Sequence, residues 1–407
     1  MNFDLKSIVK FHIKEFLFVI YLLSGMIKTI FIYYHLILPI DFTLFLALLM
    51  SLSMMIEFLY KKCLIFTNWY LKQAFYMLVY LFIWILFSIF YSSSDHYIYE
   101  KISRYLTILV AFLYPISFKN FSIEKFYRLF VLSSIGLTII YIPIFLSSYS
   151  LYITTHIANG VYMSYLSMGY IIALALLINF FKVKNFKYRL FTLIILLPSL
   201  IITGARGPLI FLILILIIYI LYKIFVQRRI HYDIFKYLLV FSILFILILP
   251  FLDKINIENE LDRTYTRLTA LSNVSDDTSA NSRLVFMKFV LDRQDIRHLF
   301  QGYGFGSFGI EYIKSDERYY PHNIFLEVLF ELGLIGLVIY ILFNIFIVLR
   351  LFIIKQPFES LLFLFLFLNS LKSLSIVDSR IMFGMFVLLL LSAPSNQYTE
   401  HHIEAIK

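Results

Sequence analysis

The sequence has little charge, a single cysteine and no nucleotide-binding signature. Only 15% of its 407 residues are charged, whereas soluble domains average about 25%, so a globular cytosolic protein is excluded. The lone Cys63 excludes an intramolecular disulfide framework. Walker A, the Gly-rich dinucleotide turn, HExxH and clustered Cys/His ligands are all missing. ATP-driven transport and a zinc peptidase are therefore unsupported, and we expect no cofactor and no metal.

Apolar residues dominate what is present. They make up 61% of the chain, and the mean hydropathy is +0.86. The apolar runs are unbroken, whereas the strands of a membrane barrel would alternate apolar and polar residues. The sequence therefore predicts an all-α polytopic membrane protein, a single membrane domain over 1–407. Twelve spans are expected, at roughly 15–34, 42–60, 74–91, 104–118, 128–147, 160–181, 189–203, 207–226, 235–252, 332–354, 357–371 and 380–393.

The net charge of +10 does not indicate a nucleic-acid partner, because the basic residues fall in short loops between spans. Twenty Lys and Arg lie on one side of the predicted topology and five in the short loops of the other side. Short cytoplasmic loops are enriched in Lys and Arg. We therefore predict that both termini are cytoplasmic.

One predicted outer loop, 253–320, is far longer than the others. It carries nine Lys/Arg and eleven Asp/Glu, and loops of this length are translocated regardless of charge. Within it, residues 281–293 predict a helix with Leu284, Phe286, Phe289 and Val290 along one face and Ser279 or Asn281 as its N-cap. The glycines of QGYGFGSFG (301–309) predict a tight backbone turn.

Three arginines on the predicted outer face are candidates for binding an anion. Arg206 lies in the short turn TGARGP (203–208), Arg283 opens the loop helix, and Arg380 begins the last span. A guanidinium donates two parallel hydrogen bonds to a phosphate and keeps its charge. The structural alternatives are an Arg206 that reaches lipid phosphates, a solvated Arg283, and a local Asp378–Arg380 ion pair. Arg263, Arg267 and Arg318 are expected to be solvated.

His322 is the most specific candidate for chemistry. It follows Pro321, which restricts the backbone, and an imidazole can act as a general base near neutral pH. Asn323, Glu327 and Glu331 follow at helical spacing and form one polar stripe. We expect this stripe to face a cavity or to lie along the membrane interface. The alternative is that His322 only caps a helix.

These motifs occur in an order that resembles the O-antigen ligase/polymerase superfamily of bacterial surface polysaccharide assembly. The resemblance covers roughly residues 195–345 and rests on TGARGP, NSR (281–283), GYGFGSF (302–308) and PHNIFLEVLFELGLIGL (321–337). Thr203 and Ala205 stand where serines are frequent in the family. THIANG (155–160) looks like its short outer motif, and VDSR (377–380) looks more like the Wzy-type polymerases than the ligases.

The resemblance implies a GT-C-like, metal-independent glycosyltransferase at the outer face of the bacterial inner membrane. Its donor and acceptor would be undecaprenyl-diphosphate-linked oligosaccharides held in membrane lipid. Its product would be O-antigen or a related surface polysaccharide, as in lipopolysaccharide. A chain-length regulator would be a further protein partner. We expect Arg206, Arg283 and Arg380 to bind the diphosphate, His322 to act as base, and Asn323 and Glu327 to orient it. A ligase that transfers glycan to the lipid A core is the alternative, and a non-enzymatic flippase or exporter is the second.

Overall fold

The computed structural model describes residues 13–36, 40–61, 66–154, 165–226, 278–293 and 295–392. Within these ranges the regular structure is helical, without strands, which confirms the all-α prediction. The α-helices are α1 (Ile13–Tyr33), α2 (Phe42–Lys61), α3 (Trp69–Ser88), α4 (Tyr97–Ser117), α5 (Ile123–Thr154), α6 (Tyr165–Lys182), α7 (Phe186–Ile202), α8 (Arg206–Phe225), α9 (Thr278–Asp292), α10 (Ile296–Gln301), α11 (Phe308–Ile313), α12 (Ile324–Ile354), α13 (Pro357–Lys372) and α14 (Arg380–Leu391).

Seven of the described helices are long and apolar enough to cross a membrane, so the protein is polytopic. The described residues do not show the twelve spans that the sequence predicted. The seven lie in α1, α2, α3, α5, α6, α8 and α12. Predicted spans also coincide with α7, α13 and α14, which have 17, 16 and 12 residues. Helix α4 coincides with a further predicted span, 104–118, and carries Glu100, Lys101 and Arg104 in its first half. The predicted span 235–252 lies outside the described residues, as does THIANG. The GT-C-like character stays a prediction.

The chain divides into two compact units. The first comprises Met1–Thr43 and Glu124–Asn281. Helix α6 is its most enclosed described helix, with every residue from Met168 to Asn179 buried, and it packs against α7 and α8. Continuous burial explains why the α6 sequence is apolar on all faces.

The second unit comprises Leu44–Ile123 and Ser282–Lys407. Helix α12 is at its centre and contacts α3, α10, α11, α13 and α14, while α4 packs against α14. Most of the predicted catalytic residues lie at the start of α12 or in the segments that pack against it.

Helix α12 bends sharply at Gly333, whose φ of 66° and ψ of −168° are not helical. The predicted span began at residue 332, so the kink separates the polar-striped first part from the apolar remainder. The backbone groups next to the kink bond to other segments: Trp84 Nε1 donates to the Leu332 carbonyl at 2.9 Å, and Gly304 N donates to the Glu331 carbonyl at 2.9 Å. These bonds replace helical ones, as buried backbone groups require.

The glycine-rich segment 301–309 forms the predicted tight turn. Gly304 has φ +93°, and a Cβ built there would lie 2.2 Å from Ser92 Cα. Ser92 Oγ also donates to the Phe305 carbonyl at 2.9 Å. Only glycine permits both this backbone conformation and this approach. The turn is thereby fixed between the end of α3 and the kink of α12.

Helix α9 confirms the helix predicted at 281–293, but its predicted caps are wrong. The helix begins at Thr278, so Ser279 and Asn281 lie inside it. Phe286 and Val290 are buried against Phe308 and Phe330, as the periodicity predicts. Leu284, placed on the same predicted face, is 51% exposed.

Candidate active site

The centre of the second unit is a buried ion triad that joins α4 to α12. Lys101 Nζ lies 2.6 Å from Glu327 Oε1 and 2.6 Å from Glu331 Oε2. The three side chains are 0–1% exposed. The ammonium also lies 4.7 Å from the centroid of the Phe305 ring, a cation–π distance. A buried charge is tolerated only when it is paired in this way.

Both carboxylates of the triad also bind segments outside the two helices. Glu327 accepts from Ser375 Oγ at 2.8 Å and from Ile376 N at 2.9 Å. Glu331 Oε2 accepts from Gly306 N at 3.0 Å. The stripe thus ties the glycine turn and the 375–378 segment to α12. The expectation that it would face a cavity or the membrane interface is wrong, because Lys101 and the backbone enclose it.

Asn323 forms the N-cap of α12. Its Oδ1 accepts from Phe325 N at 2.9 Å and from Leu326 N at 3.1 Å. Asparagine is among the preferred N-cap residues because it satisfies amides that have no partner within the helix. The capping role that was an alternative for His322 therefore belongs to its neighbour. The oxygens of Asn323 and Glu327, which were expected to orient His322, are engaged in the cap and in the triad.

His322 is held in a strained conformation at the mouth of α12. Its φ of 56° lies in the left-handed region, which residues other than glycine rarely adopt. Its ring stacks on Phe286 at 6.0 Å and lies 4.5 Å from the Tyr320 ring, centroid to centroid. Backbone strain of this kind persists only where the surroundings enforce it, and it is concentrated at functional sites.

The surroundings of His322 favour its neutral form. Burial lowers the pKa of His322 below 6.5, and the positive charge of Arg283, followed by that of Arg318, lowers it further. A hydrogen bond with the Ser373 backbone and the charge of Asp378 act in the opposite direction. A neutral imidazole has one ring nitrogen without a proton, and this nitrogen is the acceptor that a general base needs.

An arginine network surrounds Asp378 beside this histidine. Arg318 forms an ion pair with Asp378, and Arg104 Nη1 lies 3.5 Å from the same carboxylate. Burial alone would lower the pKa of Arg318, but Asp378 raises it above its ordinary value. The guanidinium of Arg318 lies 5.8 Å from the Tyr320 ring centroid. Arg318 is therefore paired rather than merely solvated, and Asp378 takes its partners from α4 and the loop.

The remaining predicted arginines lie at helix starts. Arg283 is half-buried on α9, and its charge reaches His322. Arg380 is the first residue of α14. Arg206 is the first residue of α8, in the first unit. Its turn is tight, since Gly204 has φ +62° and a Cβ added to Gly169 would lie 2.2 Å from Ala205 Cβ.

The sequence did not single out Lys101, which counted only as one of the five basic residues of the short outer loops. The available signal was a lysine beside an apolar helix and two glutamates inside another, since opposite charges at membrane depth pair with each other. The sequence also did not indicate Ser373 or Ser375. Ser373 acts through its backbone and Ser375 through its hydroxyl, and any polar loop contains such groups.

Residues 191–341 match a family model described as O-antigen ligase, Wzy_C. This segment contains Arg206, Arg283, His322, Asn323 and Glu327, whereas Lys101, Asp378 and Arg380 lie outside it. The match confirms the resemblance to the O-antigen ligase/polymerase family over residues 191–341. No curated protein matches the chain.

Proposed function

We propose that this protein, with its O-antigen ligase/polymerase domain at residues 191–341, polymerises undecaprenyl-diphosphate-linked oligosaccharide repeat units. The observation that carries the proposal is the setting of His322: its φ is 56°, its ring stacks on Phe286, and the charges of Arg283 and Arg318 lower its pKa. A base next to fixed cations suits a reaction in which a hydroxyl attacks while an anionic group leaves.

In the proposed step, the unprotonated ring nitrogen of neutral His322 takes the proton of an acceptor sugar hydroxyl. The hydroxyl oxygen forms a bond to the anomeric carbon of the donor, and the bond from that carbon to the diphosphate oxygen breaks. The electron pair leaves with the undecaprenyl diphosphate. The transferred sugar needs no further activation, because the diphosphate is already a good leaving group, so the proposed reaction uses neither ATP nor a divalent metal.

The diphosphate is assigned to arginines. Arg283 is the best supported, because its charge already acts on His322; Arg206 and Arg380 keep the role that the resemblance implies. A planar guanidinium binds two phosphate oxygens at once and stabilises the charge that develops on departure. The structure adds Arg318 and Arg104 to the candidates: Arg318 is paired with Asp378, and Arg104 is paired with Glu100 at 2.6 Å and lies 3.5 Å from Asp378.

Asn323 and Glu327 are positioning residues in this account. Asn323 fixes the start of α12 one residue after His322. Glu327 holds Ser375 and Ile376, two and three residues beyond the backbone that bonds the histidine ring. Both therefore act on the base through the chain rather than by touching substrate.

Ligase activity toward the lipid A core is the second candidate, and the family description itself names a ligase. The polymerase is preferred because VDSR resembles the Wzy-type polymerases. An exporter is less well supported, since it would carry unpaired charges in mid-chain spans. The sequence offers Lys28 and Glu57 as the nearest cases, and the buried Glu327 and Glu331 of α12 are both paired with Lys101. Lys28 in α1 is paired with Asp41.

The proposal places the site on the outer face of the inner membrane, with both termini cytoplasmic. An impermeant maleimide tests this with Asp292→Cys, an exposed position on α9, in a Cys63→Ser background. Labelling in intact spheroplasts supports the orientation. Labelling only after permeabilisation inverts it and removes the base from the compartment that holds the substrate.

The activity is tested by giving purified protein undecaprenyl-diphosphate-linked repeat units in EDTA without ATP. Elongation of the lipid-linked glycan is the expected result. Transfer only when lipid A core is added would identify a ligase, and no transfer to either acceptor would reject the enzyme. A strict requirement for magnesium or manganese would contradict the metal-independent assignment. A chain-length regulator, added separately, should change the length of the product and not the rate of the first transfer.

A further inference from the structure

A small cavity in the first unit lies where three membrane helices end. Its wall is formed by the first turns of α5, the last turn of α6 and the start of α7, and its volume is about 70 Å³. About 10–15 Å³ of such a volume is enough to hold one water molecule, so the cavity has room for a group of phosphate size. It shares no residue with the candidate active site.

Charge and apolar surface are separated around this cavity. Arg128, Lys182 and Lys184 bring three cations to it, against the single carboxylate of Glu124. The lining residues one turn farther from the helix ends, Val131, Leu132 and Ile178, are apolar. Tyr127 lies between the two zones, with Lys182 Nζ 5.9 Å from its ring centroid.

The loop between α6 and α7, which carries Lys184, is fixed to its helices. Arg189 Nε donates to the Val183 carbonyl at 2.9 Å, and Asn185 caps α7 by accepting from Lys187 N at 3.0 Å. Lys184 on this loop and Lys182 at the end of α6 therefore line the cavity from a constrained backbone, which lowers the ordering cost of binding.

We propose that this cavity binds the phosphodiester headgroup of an anionic glycerophospholipid. A cationic rim above an apolar wall at the ends of membrane helices matches such a lipid, whose phosphate is at the interface and whose acyl chain continues into the membrane. Basic pockets between membrane helices on the cytoplasmic side bind lipid headgroups, and the basic-residue count of the sequence puts these loops on that side. The proposal does not depend on the glycosyltransferase assignment.

Native mass spectrometry of the full-length protein, released from detergent micelles that contain phosphatidylcholine and added phosphatidylglycerol, measures retained lipid. The variants are Arg128→Gln, Lys182→Gln and Lys184→Gln, singly and together. Each cation near a membrane surface contributes about 1 kcal/mol, so each change should weaken phosphatidylglycerol binding about fivefold and the triple change about a hundredfold. Lys223→Gln is the matched control, since Lys223 lies at the end of α8 beside Tyr219.

Two further measurements distinguish a bound lipid from a bound soluble anion. Leu132→Gln makes the apolar wall polar and should weaken phosphatidylglycerol binding without loss of any cation. Glycerol phosphate, which has no acyl chain, should not displace the lipid at millimolar concentration. Wild-type retention by the triple variant would overturn the proposal. Displacement by glycerol phosphate, with no effect of Leu132→Gln, would show that the site takes a free phosphate and would overturn the lipid as its ligand.

Discussion

Lys101 Nζ lies 2.6 Å from Glu331 Oε2, although the two residues are 230 positions apart in the chain. The contact is entirely buried, and Glu327 lies on the same ammonium. This triad explains why an apolar helix carries two glutamates: they anchor α12 to α4 and to the segments around His322.

Removing the cation should therefore destabilise the protein strongly. Lys101→Met leaves two buried carboxylates without their counter-charge, and breaking a buried ion pair typically costs about 3–5 kcal/mol. Thermal unfolding of the detergent-solubilised protein measures the loss. Lys288→Met, at an exposed lysine of α9, is the control and should change little. A triple variant with Glu327→Gln and Glu331→Gln should recover part of the loss, because no unpaired charge remains. Equal stability of Lys101→Met and Lys288→Met would contradict the triad.

The glycine turn offers a second stability test. Gly304→Ala would place a methyl group 2.2 Å from Ser92 Cα at a φ of +93°, so the turn must shift away from α3. We expect loss of folded protein in the membrane, measured as the amount of folded protein recovered after detergent extraction. Gly136→Ala is a matched control, because Gly136 lies inside α5 with nothing within 4 Å of the added Cβ. Alanine there should be neutral or stabilising by up to about 1 kcal/mol. The reverse order of the two yields would contradict the described turn.

The cap at Asn323 predicts a graded series. Asn323→Asp keeps an acceptor for the amides of Phe325 and Leu326, so stability should be close to wild type. Asn323→Ala should cost about 0.5–2 kcal/mol. If Asn323 acts only through the cap, Asn323→Asp also keeps transfer activity. A stable but inactive Asn323→Asp would instead give the amide a direct part in the reaction.

The elements were largely predictable from the sequence, whereas the partners of the site residues were not. Helices α1, α2, α6, α8 and α9 lie close to their predicted ranges because hydropathy and periodicity are local properties. The glycine turn was predictable because only glycine suits positive φ at 302, 304 and 306.

The tertiary partners required contacts that no local pattern contains. Glu327 was expected to orient His322, yet its partners Lys101 and Ser375 come from distant segments. Arg318 was expected to be solvated, yet it pairs with Asp378, 60 residues away. The kink at Gly333 also arises from tertiary bonds, since Trp84 and Gly304 bind the carbonyls beside it.

The surroundings of His322 predict opposite pH shifts for two variants. A base must be unprotonated, so activity falls as the pH drops through its folded pKa, which lies below 6.5 because of burial and then Arg283. Arg283→Gln removes a charge that lowers this pKa, so the acid limb of kcat/KM should move to higher pH. Asp378→Asn removes a charge that raises it, so the limb should move to lower pH. Shifts in the same direction, or none in either variant, would contradict His322 as the titrating group.

The most direct test of the account is the transfer rate of His322→Asn. Asparagine tolerates positive φ but cannot take a proton, so the protein should reach wild-type membrane levels and unfold at a similar temperature. General-base catalysis contributes about 10²–10⁴-fold, so elongation of lipid-linked glycan should fall by that factor with donor binding little changed. His96→Ala, at an exposed histidine of the same unit, is the control and should elongate normally. Near-normal elongation by a stable His322→Asn variant would show that His322 is not the base.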